Sequence, residues 1–115
     1  MINLSRELHA AAESARARIR VGYPWWLRLF VMKGIAGITL GRRIYVSPAV
    51  SGGQLERLLR HELAHVTQIA RYGLIRFYWT YISEYISYRR AGLSSIAAYR
   101  NISFEKEAFS AEENV

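Results

Sequence analysis

The run Arg60-His61-Glu62-Leu63-Ala64-His65-Val66-Thr67-Gln68 holds the residues of this chain best suited to chemistry. It reads H-E-x-x-H. On a helix, four residues advance the chain by about 400°, so His61 and His65 fall on one face, one turn apart. Two imidazoles at that spacing can reach a single metal ion at about 2.0–2.1 Å, the usual Zn–N length. Glu62 follows His61 directly and flanks such an ion without competing for it. From there it can take a proton from a water whose pKa zinc lowers toward ~7. The chain has 3 histidines, and two of them stand in this run. The plainer alternative is a pair of solvated histidines and a glutamate on a surface helix. The neighbours oppose it: Leu58-Leu59 precede the pair and Val66 follows, which puts the imidazoles at the edge of an apolar face.

A catalytic zinc keeps three protein ligands and one open position. The pattern x-x-G-x-x-H after the second histidine would supply a third, but Gln68 stands at its glycine and Arg71 at its histidine. His9 lies on the edge of an alanine-rich stripe, where a structural or exposed role suits it better. With no cysteine there is no thiolate ligand, disulfide or cysteine nucleophile. A downstream carboxylate would complete a set of two histidines and one acidic ligand. The run Asn101-Ile102-Ser103-Phe104-Glu105-Lys106-Glu107-Ala108-Phe109 offers Glu105 and Glu107. These two are about 200° apart on a helix, so only one can face the ion. Glu84 is a further candidate, on a tyrosine-rich segment.

The elements that must position these groups follow from periodicity and punctuation. Leu4 to Arg20 has helical composition, with Leu4, Leu8, Ala11, Ala12, Ala15 and Ile19 as a buried stripe. Gly22 and Pro24 end it, and Trp25 to Lys33 suits a second short helix. The period then changes. Ala36–Leu40 and Arg43–Val46 are short, β-branched segments around Gly41-Arg42, the signature of a hairpin closed by Pro48. Ser51 and Gln54 have capping-box spacing at the head of the Ser51–Tyr72 helix that carries the motif, and Gly73 sits at its C-cap. Leu74 to Arg90 reads as a helix whose tyrosines 78, 81, 85 and 88 form a packed stripe, with a wall of a substrate cleft as the functional alternative. Ser94 to Tyr99 suits a short helix, and Asn101 or Ser103 can cap a last one through Ala111. The expected architecture is α+β: mostly helical, with a small β-hairpin or sheet beside the motif helix, in one domain over residues 1–115.

Bulk properties bound the partners. A chain of 115 residues with 51% hydrophobic and 22% charged content is globular rather than disordered. The net charge is +7, yet the arginines are scattered from Arg6 to Arg100 without a basic run, which argues against a dedicated nucleic-acid partner. Trp25–Leu40 and Leu74–Tyr88 are apolar but interrupted by charge, so neither suits a spanning helix. Trp25, Trp26 and Trp79 leave peripheral membrane contact open. Met1 to Arg20 has no apolar core preceding a cleavage site, so no secretory signal is read there and a cytoplasmic location is expected.

The HELAHVTQ run, the later AYRNISFEKEAF and the preceding ITLGRRIYVSP together resemble the compact bacterial gluzincin-type domains, or minigluzincins, over Ile38 to Phe109. The resemblance implies a zincin-like fold and a zinc-dependent peptidase acting on a peptide or protein. It implies Glu105, three residues before Ala108, as the third zinc ligand beside His61 and His65. It implies Glu62 as the base that activates a zinc-polarised water, and a hairpin strand that pairs with an extended substrate. Where the group has an acidic residue after that alanine, often bracing a zinc histidine, this chain has Phe109, which leaves the bracing unassigned. Tyr99, Tyr72 and Arg100 are candidates for an oxyanion donor. Two other readings stand beside this one: a zincin-fold binding module with weak catalysis that docks a membrane or protein, and a nucleic-acid-associated protein with structural zinc. The acidic end, Ser110 to Val115, suits a frayed terminus or an inhibitory tail over the cleft.

Overall fold

A computed structural model describes residues 5–28 and 36–113. In chain order the elements are α1 (Arg6–Ser14), β1 (Arg18–Val21), α2 (Trp25–Arg28), β2 (Gly37–Leu40), β3 (Arg43–Val46), α3 (Gly52–Tyr72), α4 (Leu74–Arg90), α5 (Ser95–Asn101) and α6 (Ser103–Glu113). The protein is mostly helical with one small sheet, an α+β arrangement. No described helix is long and apolar enough to cross a membrane.

The expected helix over Leu4–Arg20 is a helix only in its first half. Ser5 caps α1, accepting from the Leu8 amide, and Leu8 and Ala12 bury the inner stripe. The helix stops at Ser14, Arg16 takes a left-handed turn at φ 56, and Arg18–Val21 runs as a strand. The cause is tertiary. Arg-Ile-Arg-Val alternates with period two, and β1 pairs in parallel with β3, Ile19 opposite Ile44 and Val21 opposite Val46. Ile19 packs on the core, whereas Arg18 and Arg20 are exposed. Leu4 lies outside the described residues. So does the stretch after Arg28 of the helix expected over Trp25–Lys33, of which α2 is the described part.

The hairpin forms where its turn signal places it. Ile38 opposes Tyr45 and Thr39 opposes Ile44, and Gly41 supplies the positive φ of 64 that a two-residue turn requires. The sheet order is β1-β3-β2, so the central strand, β3, is the buried one: Ile44, Tyr45 and Val46 are all inside. β2 is left at an edge, next to α3.

The capping box is not made. Ser51 precedes α3, but its side chain forms no cap bond; Gly52, at φ 62, turns the chain into the helix instead. Gly73, at φ 88, ends α3 as expected and leads directly into α4. α3 is the central rod. One of its faces, Leu59, Leu63 and Val66, joins Leu8, Ala12, Ile44 and Val46 in a core beneath the sheet. Farther along, Ile69 joins Phe77, Ile102 and Phe104 in a second core, against which Tyr78, Tyr81 and Tyr85 pack. The remaining face carries His61, His65 and Gln68, all buried, and is covered by α6.

Candidate metal centre

Two successive turns of α3 present His61 and His65 toward one residue of α6. His61 Nε2 lies 2.7 Å and His65 Nε2 3.2 Å from the same oxygen, Oε1 of Glu105. The three side chains are almost wholly buried, and one ligand atom from each lies within 4.8 Å of the others. Glu105 is therefore the carboxylate that meets the histidine pair. Glu107 faces elsewhere, accepting a bond of 2.9 Å from Gln68 Nε2. Glu84 accepts from the Ser103 amide at 2.7 Å and the Ser103 hydroxyl at 2.9 Å, so it caps the first turn of α6. A candidate ligand thus proves to hold the helix that carries the actual partner. His9 is exposed and pairs with Glu13 one turn on.

The far ring nitrogens are also engaged. His61 Nδ1 is 2.8 Å from Glu112 Oε2, and His65 Nδ1 is 2.9 Å from Gln68 Oε1. The Gln68 amide is fixed independently. Its nitrogen donates to the Phe104 carbonyl at 3.0 Å and to Glu107, so its oxygen must accept. His65 consequently carries a proton on Nδ1, and the carboxylate of Glu112 asks the same of His61. With Nδ1 protonated, a neutral imidazole turns a lone pair from Nε2 toward Glu105. Three acceptors then face one buried point. Two buried imidazolium rings would satisfy them, and so would one divalent cation. A set of two imidazole nitrogens and one carboxylate is what zinc binds in open catalytic sites. The residues present fit that ion.

The acid–base state of the metal-free cluster follows from the same contacts. Burial disfavours protonation of His61 and His65, but the bond and charge of Glu105 outweigh it and the net shift is upward. Burial would raise Glu105, yet hydrogen bonds from both imidazoles and from Tyr81 hold it down at about 2. Glu62 is deeply buried, which raises it above the ordinary carboxylate range despite the opposing imidazoles and its bond with Thr39. The Thr39 hydroxyl donates to Glu62 Oε2 at 2.5 Å, so edge strand β2 holds this carboxylate in place. The Tyr78 hydroxyl in turn donates to the Thr39 carbonyl at 3.1 Å.

Four of these partners were not singled out by sequence reading. Gln68 lies three residues after His65, a same-face spacing that could have marked it. Glu112 lies seven residues after Glu105, two turns of the same helix, and meets His61 Nδ1. Thr39 had no signal, since its contact crosses 23 residues. Tyr81, read as core, also donates to Glu105 Oε2. Of the oxyanion candidates, Tyr99 has its hydroxyl beside Glu105, whose charge adds to burial in raising the phenol's pKa. Tyr72 lies against Phe104, and Arg100 sits over the Phe109 ring. Among the described residues the acidic end is helical. α6 runs to Glu113, Arg57 pairs with Glu113 at 2.7 Å, and Arg60 donates to the Glu112 carbonyl at 3.2 Å; residues 114–115 lie outside the described ones.

Two outcomes follow. Glu112→Ala should weaken zinc binding about ten- to hundredfold, read by competition with a chromophoric chelator, because it frees the His61 ring. Unchanged affinity would remove Glu112 as a brace. In chelator, the raised imidazoles contribute stability below pH 6.5 that is lost as pH climbs through their folded values. Glu62 acts in the same direction from 4.5 upward, while the Glu105 contribution is complete above 4.5 and lost only toward about 2. The metal-free Tm should therefore fall as pH rises above about 6.5, and added zinc should reverse that slope because it replaces protons. A metal-free Tm that rises with pH would contradict the pairing.

No protein-family model, curated protein or solved structure matches this chain, so the functional reading rests on the geometry around Glu105 and on the H-E-x-x-H spacing.

Proposed function

We propose that this chain is a zinc-dependent peptidase, a minimal zincin of gluzincin type in which His61, His65 and Glu105 hold the ion. The observation that carries this reading is the convergence of both Nε2 atoms on one buried carboxylate oxygen, with a second buried carboxylate, Glu62, next in sequence to His61. A zinc ion bound there supplies Lewis acidity: it polarises an amide carbonyl and acidifies water.

The remaining steps fall to the chain's own side chains. Glu112 and Gln68 keep both imidazoles in the tautomer that offers Nε2. Glu62 takes the proton of the attacking water and returns it to the leaving amine. Its affinity for protons, raised by burial, suits that shuttle, because a stronger base takes the proton more readily. Thr39 holds the Glu62 carboxylate in place through Oε2. β2, at the sheet edge beside Glu62, offers backbone groups to an extended peptide. Tyr99, 37% exposed with its hydroxyl near Glu105, is placed to donate to a developing oxyanion. Peptide or protein is thus the proposed substrate class.

The test is Glu62→Gln, assayed on a quenched-fluorescent peptide mixture and an unfolded protein such as casein. Activity should fall by about 10²–10⁴-fold, the usual contribution of a positioned base, with zinc content unchanged. Hydrolysis that survives the substitution would remove Glu62 as the base. A zinc-loaded wild type without hydrolysis would favour a binding module of the same fold.

A further inference from the structure

α4 is apolar on two sides. Its inner side, Phe77, Tyr81 and Tyr85, packs on the second core. Its outer side carries Ile75, Trp79, Ile82 and Ile86, which are 86%, 75%, 54% and 45% exposed. These positions advance by four, three and four residues, so they form one stripe about 60° wide and about 16 Å long. A surface helix needs one apolar stripe to face the core, so the second is not explained by the core. The exposed stripe amounts to roughly 500 Å² at ordinary side-chain areas, in the range that marks interaction surfaces.

The charges around the stripe distinguish what can cover it. At 100° per residue, Arg89 and Arg90 flank its C-terminal end on either side, about 40° from its margins or less, and Arg76 lies farther round the same helix. All three are exposed. The acidic residue of the helix, Glu84, points inward to cap α6. The outer side is therefore apolar at its centre and cationic at its border, on a chain of net charge +7. A second copy fits poorly. A symmetric contact of α4 on α4 would offer these arginines no carboxylate, since Glu84 is engaged at α6, and roughly 500 Å² per subunit is below the ~800 Å² of a standard interface. An anionic bilayer fits both features. Trp79 and the isoleucines reach the headgroup boundary while the arginines meet lipid phosphate and carboxylate.

We infer that the outer stripe of α4, Ile75, Trp79, Ile82 and Ile86 with Arg89 and Arg90 at its border, docks the protein flat on an anionic membrane surface. The contact is peripheral, since the helix also packs inward on the core. It is independent of the peptidase reading, because the stripe and the metal cluster lie on different sides of α4 and the readout is partitioning rather than hydrolysis.

The test is co-sedimentation of the full chain with vesicles of phosphatidylcholine and phosphatidylserine at 7:3, compared with phosphatidylcholine alone. Wild type should partition onto the anionic vesicles, less so as salt rises. Ile75→Ser/Trp79→Ser and Arg89→Gln/Arg90→Gln should each reduce partitioning about tenfold or more, with circular dichroism unchanged. Should the serine pair unfold, the exposed arginine pair decides the question alone. Absence of binding to anionic vesicles overturns the inference. So does loss of binding in Trp25→Ser/Trp26→Ser with the α4 variants unaffected, or a micromolar dimer in sedimentation equilibrium that the α4 variants abolish.

Discussion

One oxygen atom organises much of this molecule. Glu105 Oε1 is buried between two buried imidazole nitrogens, and a charge in that position is tolerated only if each neighbour answers it. Either two protons or one divalent cation must occupy the gap. Everything around the cluster reads as a means of holding five polar side chains, His61, His65, Gln68, Glu105 and Glu62, where water does not solvate them. Among the described residues no buried side-chain polar atom lacks a partner, so that arrangement is complete down to the outer ring of contacts.

The scaffold answers the demand with couplings between distant parts of the chain. α3 supplies the imidazoles because its other face is anchored in the core under the sheet by Leu59, Leu63 and Val66. α6 must approach α3 closely enough for Glu105 to reach both rings, and it is fixed at both ends. Glu84 of α4 caps its start, while Arg57 and Arg60 of α3 hold its last turn. Gln68 fastens the middle through Phe104 and Glu107. The sheet enters through one residue: Thr39, on the edge strand, orients Glu62. A rigid frame of this kind favours a preorganised site over one assembled by ligand.

Local signals made the frame legible, and non-local ones did not. The H-E-x-x-H spacing, the Gly41-Arg42 turn, the Gly73 cap and the α4 boundaries at Leu74 and Arg90 are properties of adjacent residues, and each could be read directly. The strand at Arg18–Val21 was hidden because Ala15 and Ile19 also fit a helical stripe; only parallel pairing with β3 selects the extended form. The choice among Glu84, Glu105 and Glu107 was similarly closed to periodicity, which separates 105 from 107 but cannot say which face of α6 meets α3. Glu112 shows the limit most clearly. Its i+7 relation to Glu105 was present in the sequence, yet the terminus gave no reason to expect helix there, because the contacts that extend α6 come from Arg57 and Arg60, more than 50 residues earlier. Ser51 and Gln54 erred the other way: the spacing of a capping box was present, and a glycine at positive φ made it unnecessary.

The proposed chemistry depends on one zinc ion at the point shared by His61, His65 and Glu105. Elemental analysis of the purified protein, alongside His65→Ala and Glu105→Ala variants checked for folding by circular dichroism, tests it most directly. One zinc per chain is expected in wild type, with its loss in both variants. A folded wild type that contains no zinc and takes up none when it is added back would contradict the assignment.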